Sequence, residues 1–277
     1  MYRACLVVLI LLAGCAGISG EAVDRDDGPT ETVTPVAVPD DPVDRSAGVD
    51  DGVADSAALA NAHDERLSDR SYRLVSNQTI RYENGSIRSQ YKTDLRLAAD
   101  RGYRVAVETA GPEGPLLLGE PPATAVFWSD GEAYIRAFGE SDVTYNEFTP
   151  SRSGVGTWEF WASTGAFGGL QSPNRMIEGS FEAVPTRVDG NETVDGIERY
   201  RIVGDGSQDT DLPFPEADPA RNVELLATVD EDGLVRHLEL EYDGYVGGDR
   251  VLVTRSISYS DVGTTDVDRP EWYDEAV

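Results

Sequence analysis

Asn84-Gly85 stands between two runs of alternating apolar and polar residues, and this arrangement narrows the fold more than any other feature of the chain. Before it, Tyr72, Leu74, Ile80 and Tyr82 alternate with Arg73, Asn77, Thr79 and Arg81; after it, Ile87, Tyr91, Leu95 and Leu97 alternate with Arg88, Gln90, Lys92, Asp94 and Arg96. Successive strand residues point to opposite faces, so a period of two marks a strand with one face in a core. An Asn-Gly pair between such runs predicts a two-residue type I′ turn, and the turn sets the register. Tyr72 then opposes Leu97, Leu74 opposes Leu95 and Tyr82 opposes Ile87. The apolar residues of both strands fall on one face, as an antiparallel sheet with one covered side requires.

The pattern recurs along the chain. Strands are predicted at Tyr103 to Thr109, Thr124 to Trp128, Glu132 to Phe138 (after the Ser129-Asp130-Gly131 turn) and Val143 to Phe148. Thr157 to Leu170 reads as a short helix weakened by Gly165, Gly168 and Gly169, after which strands resume at Met176 to Thr186 and Glu198 to Val203. Asn222 to Val229, Leu234 to Tyr242 and Arg250 to Tyr259 complete the set. Ahead of them, Asp55 or Ser56 caps a helix whose Leu59, Ala62, His63 and Leu67 recur at helical spacing. The fold class is therefore mainly β with a few helices (α+β), with a leading helix and one helical excursion in an antiparallel meander. Short alternating strands alone leave a β-sandwich as the alternative.

At the other end, one positive charge (Arg3) precedes an apolar run from Ala4 to Ala13 and then Gly14-Cys15. About ten apolar residues are too few to span a hydrocarbon core, which takes roughly 20 in a helix, but they suit a signal-peptide core. Leu12-Ala13-Gly14-Cys15 resembles the lipobox of bacterial and archaeal lipoproteins. That resemblance implies a signal peptide over residues 1–14, lipid attachment at Cys15, and a mature chain on the outer face of the membrane. Cys5 leaves with the signal, so no internal disulfide forms and the domain is held by burial. Eleven acidic residues from Glu21 to Asp55, against Arg25 and Arg45, give residues 15–55 the character of a solvated tether. Residues 56–277 remain as a single β-rich domain, expected to be a monomer.

Fifty-one acidic residues against 23 basic give a net charge of −28, and Lys92 is the only lysine. Phosphate recognition draws on clustered positive charge, so nucleic acid is excluded as a partner. In molar salt the Debye length shrinks to about 3 Å and the self-repulsion is screened. This acid-rich, lysine-poor composition resembles that of haloarchaeal proteins.

The order of elements, closing on Pro270-Glu271-Trp272, resembles the lipoprotein-carrier family of LolA and LppX type. That fold is an unclosed antiparallel β half-barrel whose concave face is covered by helices. His63, Leu67 and Ser71-Tyr72, spaced by three residues and followed by a polar strand and Asn84-Gly85-Ser86, are also similar to a group of haloarchaeal surface lipoproteins of unknown function. The resemblance implies a non-catalytic protein that binds an apolar ligand or another lipoprotein.

Motifs of chemistry are sparse. Gly-x-Ser-x-Gly, the phosphate-binding Gly-x-x-x-x-Gly-Lys and the dinucleotide Gly-x-Gly-x-x-Gly are absent. His63 lies on the apolar stripe of the first helix and reads as a packed histidine. His237, Glu239 and Glu241 share a strand face, a spacing that suits a metal but arises readily in so acidic a chain. Asp205, Asp209 and Asp211, and Asp230-Glu231-Asp232-Gly233, lack the ligand spacing of a calcium loop and read as a solvated loop and a hairpin turn. No catalytic residue, metal or cofactor is expected.

Two features stand above that background. Asn77, Asn84 and Asn191 each open a glycosylation sequon, and their expected positions on a polar strand face, a turn and a loop make all three accessible. Trp158, Phe160, Trp161 and Phe167 crowd the helical excursion with more apolar surface than one narrow stripe buries. Over the open side of a half-barrel these rings line a cavity for an acyl or isoprenoid chain; in a filled core they serve packing alone, and the protein is then a structural or interaction module of the envelope.

Overall fold

The computed structural model describes residues 48–140, 142–165, 172–206, 210–212 and 216–277. Among them, α1 (Ser56–Leu67) leads into two runs of strands. The first is β1 (Tyr72–Tyr82), β2 (Ile87–Leu97), β3 (Tyr103–Ala110), β4 (Ala123–Ser129), β5 (Tyr134–Phe138) and β6 (Thr144–Glu147). Helices α2 (Trp158–Gly165) and α3 (Pro173–Ala183) follow. The second run is β7 (Thr186–Val194), β8 (Ile197–Asp205), β9 (Arg221–Asp230), β10 (Val235–Val246) and β11 (Asp249–Ser260), and α4 (Tyr273–Ala276) closes the chain.

The strands form one antiparallel sheet in the order β6-β5-β4-β3-β2-β1-β11-β10-β9-β8-β7. Two meanders meet at the β1–β11 pair, where Leu74 faces Tyr259 and Gln78 faces Arg255. A single open sheet is a half-barrel and not a sandwich, which decides between the two expected architectures. The topology also places the helices. β6 and β7 are the two opposite edges, so the segment that joins them must cross from one edge to the other, and it carries α2 and α3. α2 packs on β1 and β2, and α3 packs on α1.

The core lies between this helical layer and the inward residues of the sheet, among them Leu74, Leu95, Val105, Leu238 and Ile257, all fully buried. α1 is fixed at both ends. Asp55 accepts the Ala58 N–H at 2.9 Å as N-cap, and Arg66 donates to the Asp232 carbonyl at 3.1 Å in the β9–β10 turn. Behind that turn the buried Asp230 carboxylate accepts from Arg199 at 3.0 Å and Arg236 at 2.7 Å, tying β8 to β10. On the outer face Trp128 donates to the Asp268 carbonyl at 3.0 Å, and Trp272 stacks on Tyr145 at 5.3 Å, so the C-terminal arm covers β4 to β6.

The structure corrects three details of the sequence reading. Register follows Tyr72↔Leu97 to Ile80↔Ser89 as expected, then shifts, so that Arg81 faces Ile87 and Tyr82 bonds to Ser86 and not Ile87. Only Gly85 has positive φ (+83°); Asn84 does not, whereas a type I′ turn needs both. The loop is Glu83-Asn84-Gly85, closed by the Gly85 N–H on the Tyr82 carbonyl at 2.8 Å. Met176 to Thr186 is not a strand: Ser172 caps and Pro173 opens α3, whose Met176, Ile177, Ser180 and Phe181 are buried at helical spacing. Residues 48–55, assigned to the tether, pack on the domain: Val49 is buried, and the Val188 N–H donates to the Asp51 carbonyl at 2.7 Å.

Candidate functional site

At the rim of the half-barrel where α1 ends, a cleft of about 630 Å³ opens between α1, α2 and the start of α3. The last turn of α1 and the segment after it contribute Asp64, Leu67, Ser68 and Asp69; β1 and β11 contribute Tyr72 and Tyr259; α2 contributes Trp158, Glu159, Ala162 and Ser163. Pro173 and Arg101 complete the wall. The two tyrosine rings meet edge to face at 5.7 Å. Arg101, from the β2–β3 turn, places its guanidinium 4.7 Å from the Trp158 ring centroid and bonds Asp69 at 3.0 Å. The floor is thus aromatic and aliphatic, and the charges lie at the mouth.

Burial keeps that floor uncharged at neutral pH. It pushes the Tyr72 phenol up to about 12, and the Tyr259 phenol well above its ordinary range. It also raises the half-buried Asp64 carboxyl, partly offset by a hydrogen bond from Asn174. Below the floor His63 is fully buried, its ring edge against Tyr259 at 4.7 Å. Its Nδ1 accepts the Val235 N–H at 3.2 Å, and burial lowers its pKa to about 3. His63 is a neutral packing group that joins α1 to β10. Such a constellation of phenols, indole and aliphatic carbon offers a ligand mainly apolar surface, with polar groups at its edge.

The four aromatics singled out in the sequence separate. Trp158 lines the cleft. Trp161 is only 2% exposed and packs on Phe127 at 4.5 Å, and Phe160 meets it edge-on at 4.8 Å, so these two belong to the core side. Phe167 lies outside the described residues, as do Cys15 and Asp209. Leu67 and Tyr72 belong to the His63, Leu67, Ser71-Tyr72 spacing, which signals a resemblance and not a site; Arg101 and Tyr259 carry no site signal, because they come from distant stretches and no local spacing joins them to α1.

The sequons also differ in placement. Asn84 is exposed in its turn, where its side-chain oxygen accepts from the Ser86 N–H at 2.9 Å. Asn191 is exposed on the edge strand β7, not in a loop, and donates to Glu198 at 2.6 Å. Asn77 is half-buried in central strand β1 and accepts from Thr79 at 3.3 Å and Gln90 at 3.4 Å. His237 sits 2.9 Å from the Ser258 hydroxyl, and among the described residues no three metal-ligating side chains converge. Asp230 to Gly233 forms the β9–β10 turn.

An open antiparallel half-barrel, with helices over its concave side and an aromatic cleft at one rim, defines the LolA/LppX-like class of fold. The chain belongs to DUF7537, described as a family of unknown function, whose model matches residues 2–276. Among solved structures it is similar to the lipoprotein LppX of Mycobacterium tuberculosis, with 12% identity over 77% of this chain and 97% of that one and a TM-score of 0.37. LprF of Mycobacterium bovis is similar at 12% identity, 78% and 96% coverage and a TM-score of 0.39. The LolA superfamily protein NE2245 of Nitrosomonas europaea gives 11% identity, 77% and 95% coverage and a TM-score of 0.25. No curated protein sequence matches the chain.

Proposed function

We propose that this is a non-catalytic protein, anchored by lipid on Cys15 to the outer face of a cell membrane, that binds an apolar, lipid-like molecule in the cleft beside Trp158. The ligand is a free lipid or the acyl chains of another lipoprotein. The observation that carries the reading is the cleft itself: about 630 Å³ floored by Leu67, Tyr72, Trp158 and Tyr259. That volume lies within the roughly 300 to 1,000 Å³ of small-molecule sites, and an apolar floor with polar groups at the mouth suits a chain with a solvated end. The lipobox-like Leu12-Ala13-Gly14-Cys15 and the acidic residues that follow support an exported, tethered chain. The net charge of −28 with one lysine supports a halophilic archaeal setting. Asn84 and Asn191, both exposed, are the better glycan acceptors.

A fluorescent fatty-acid or polyprenol analogue is expected to bind the full protein in molar salt. Trp158→Ala is expected to weaken it by about 1 to 3 kcal/mol, because less apolar surface is then removed from water on binding. Absence of binding by the unaltered protein would reject the ligand reading. The buried Trp161 and the filled interior around it favour the second reading, an envelope module without a ligand, in that event.

Anchoring has its own test. Cys15→Ser is expected to release the protein into the medium or to leave an unprocessed precursor. One lipid chain holds only marginally, so stable retention of the natural chain implies two on Cys15. Normal processing and full membrane retention of the serine variant would remove the lipobox from the argument.

A further inference from the structure

Two carboxylates flank the mouth of the cleft beside Trp158 with no cation to meet them. α1 presents Asp64 one turn ahead of Leu67 and Ser68, and α2 presents Glu159 one turn ahead of Ala162 and Ser163, so each helix brings a carboxylate to the face that lines the cleft. Both residues are exposed, and among the described residues neither forms an ion pair. The cation of the mouth, Arg101, is already engaged: it bonds Asp69 at 3.0 Å and lies 4.7 Å from the Trp158 ring centroid. Asp64, Asp69 and Glu159 against Arg101 leave the mouth net negative. In the wall behind it Tyr259, 3% exposed, keeps a hydroxyl with no hydrogen-bond partner among the described residues.

This mouth opens onto an apolar floor, so a ligand that lays an alkyl chain on Leu67, Tyr72 and Trp158 brings its polar end to Asp64 and Glu159. A carboxylate or phosphate in that place adds a like charge beside two carboxylates, and it reaches Arg101 only by displacing Asp69. A hydroxyl carries no charge and gives one proton. A primary ammonium carries the opposite charge and gives three N–H donors, enough for both carboxylates. It also restores what the fold takes away. Burial raises the Asp64 carboxyl, partly offset by the hydrogen bond from Asn174, and a cation alongside favours the ionised form again.

We infer that the cleft takes an amphiphile with a primary ammonium head, its alkyl chain on the aromatic floor and its ammonium at Asp64 and Glu159. The inference rests on the reading that this cleft binds an apolar, lipid-like molecule, and it names the polar end of that molecule. The charge of the whole chain attracts any cation at low salt, whereas a site holds one by contact, and this difference gives the experiment its salt arm.

The test is displacement of the bound fluorescent polyprenol analogue from the full protein by decylamine, 1-decanol and decanoate at about pH 7, where the amine is protonated and the acid ionised. Decylamine is expected to displace at concentrations about tenfold below decanoate and about threefold below decanol. The order is expected at about 0.1 M KCl and again at about 2 M, where the Debye length is below about 3 Å and only charges in contact still attract. Asp64→Asn/Glu159→Gln keeps both shapes and removes both charges, and is expected to bring decylamine level with decanol. Glu159→Gln alone, at an exposed position, is expected to lose part of the lead. Glu113→Gln/Glu120→Gln is the control: both lie in the loop after β3, at the opposite end of that strand from Arg101, and there the amine is expected to keep its lead. Equal displacement by decylamine and either other probe, a lead for decanoate, or a lead that vanishes at high salt would overturn the ammonium site and leave the apolar cleft standing. So would a lead that survives in full without Asp64 and Glu159, or one lost with Glu113 and Glu120. Failure of the natural chain to bind the reporter at all would overturn both.

Discussion

Trp161→Ala is expected to destabilise the domain by about 3 to 5 kcal/mol, the usual consequence of truncating a large core aromatic. Trp161 is 2% exposed and packs its ring on Phe127 of β4 and Phe160 of its own helix, so its removal leaves a cavity between α2 and the sheet. Domains of this size have about 5 to 15 kcal/mol in total, and each kcal/mol lowers Tm by roughly 2 to 4 °C. A fall of about 6 to 20 °C in a melting scan at molar salt is the result to look for. Trp158→Ala removes a ring that is only partly buried and sits over the open cleft, and its Tm is expected to fall far less. The pair therefore separates packing from binding within one helix. Equal destabilisation by the two substitutions, or a decrease below about 1 kcal/mol at Trp161, would contradict the division of roles drawn from the structure.

That division is only half legible in the sequence. The density of aromatics from Trp158 to Phe167 announces a face with unusual apolar surface, but not which ring is at the rim. Trp158 and Trp161 are three residues apart, about 4.5 Å along the helix axis. That step is enough to leave one at the cleft mouth and put the other beneath it. Leu67 and Tyr72 share a local spacing with His63, but nothing in it reports a cleft, and Tyr259 has no local signal at all. Tyr72 and Tyr259 meet through the β1–β11 pairing, which joins the two meanders across most of the chain, and nothing in the spacing of either strand reports its long-range partner.

The architecture is more legible because it is made of hairpins. Alternation in β1 and β2 marks which residues face inward, and the expected register holds for nine consecutive pairs, from Tyr72↔Leu97 to Ile80↔Ser89. It fails only next to the turn, where Glu83 joins Asn84-Gly85 to make a longer loop. β7 escapes a pattern-based reading for the opposite reason. It is an edge strand with most residues in solvent, so selection for burial imposes no period of two on Thr186 to Val194. α3 reads as a strand when the apolar content of Met176, Ile177 and Phe181 is weighed without the Ser172-Pro173 start signal, which the structure shows capping the helix.

His63 is expected to make the domain acid-sensitive in a way that one substitution removes. Its pKa is lowered from 6.5 to about 3 by burial beneath the cleft. Above about pH 6.5 the imidazole is neutral in both the folded and unfolded chain, and it contributes no pH dependence. As the pH falls below that, the unfolded chain takes up a proton that the folded chain refuses. Stability then drops by about 1.4 kcal/mol per pH unit, until the folded imidazole itself titrates near pH 3. Asp64, in the next position, works against this: its carboxyl is raised by burial, so the folded state gains protons first there and recovers some stability on acidification. His63→Leu isolates the imidazole, because Asp64 and the remaining carboxylates are common to both proteins. The variant is expected to be less stable at pH 7, since the Val235 N–H loses its acceptor. Between about pH 6.5 and 4.5 its stability should then fall by about 2 to 3 kcal/mol less than that of the natural chain. Denaturant titrations at several pH values, in molar salt to screen the surface charge, give both slopes directly. Parallel curves would mean that the imidazole accepts its proton in the folded state as readily as in the unfolded one. The neutral, Val235-bonded histidine that joins α1 to β10 under the cleft floor would then be wrong.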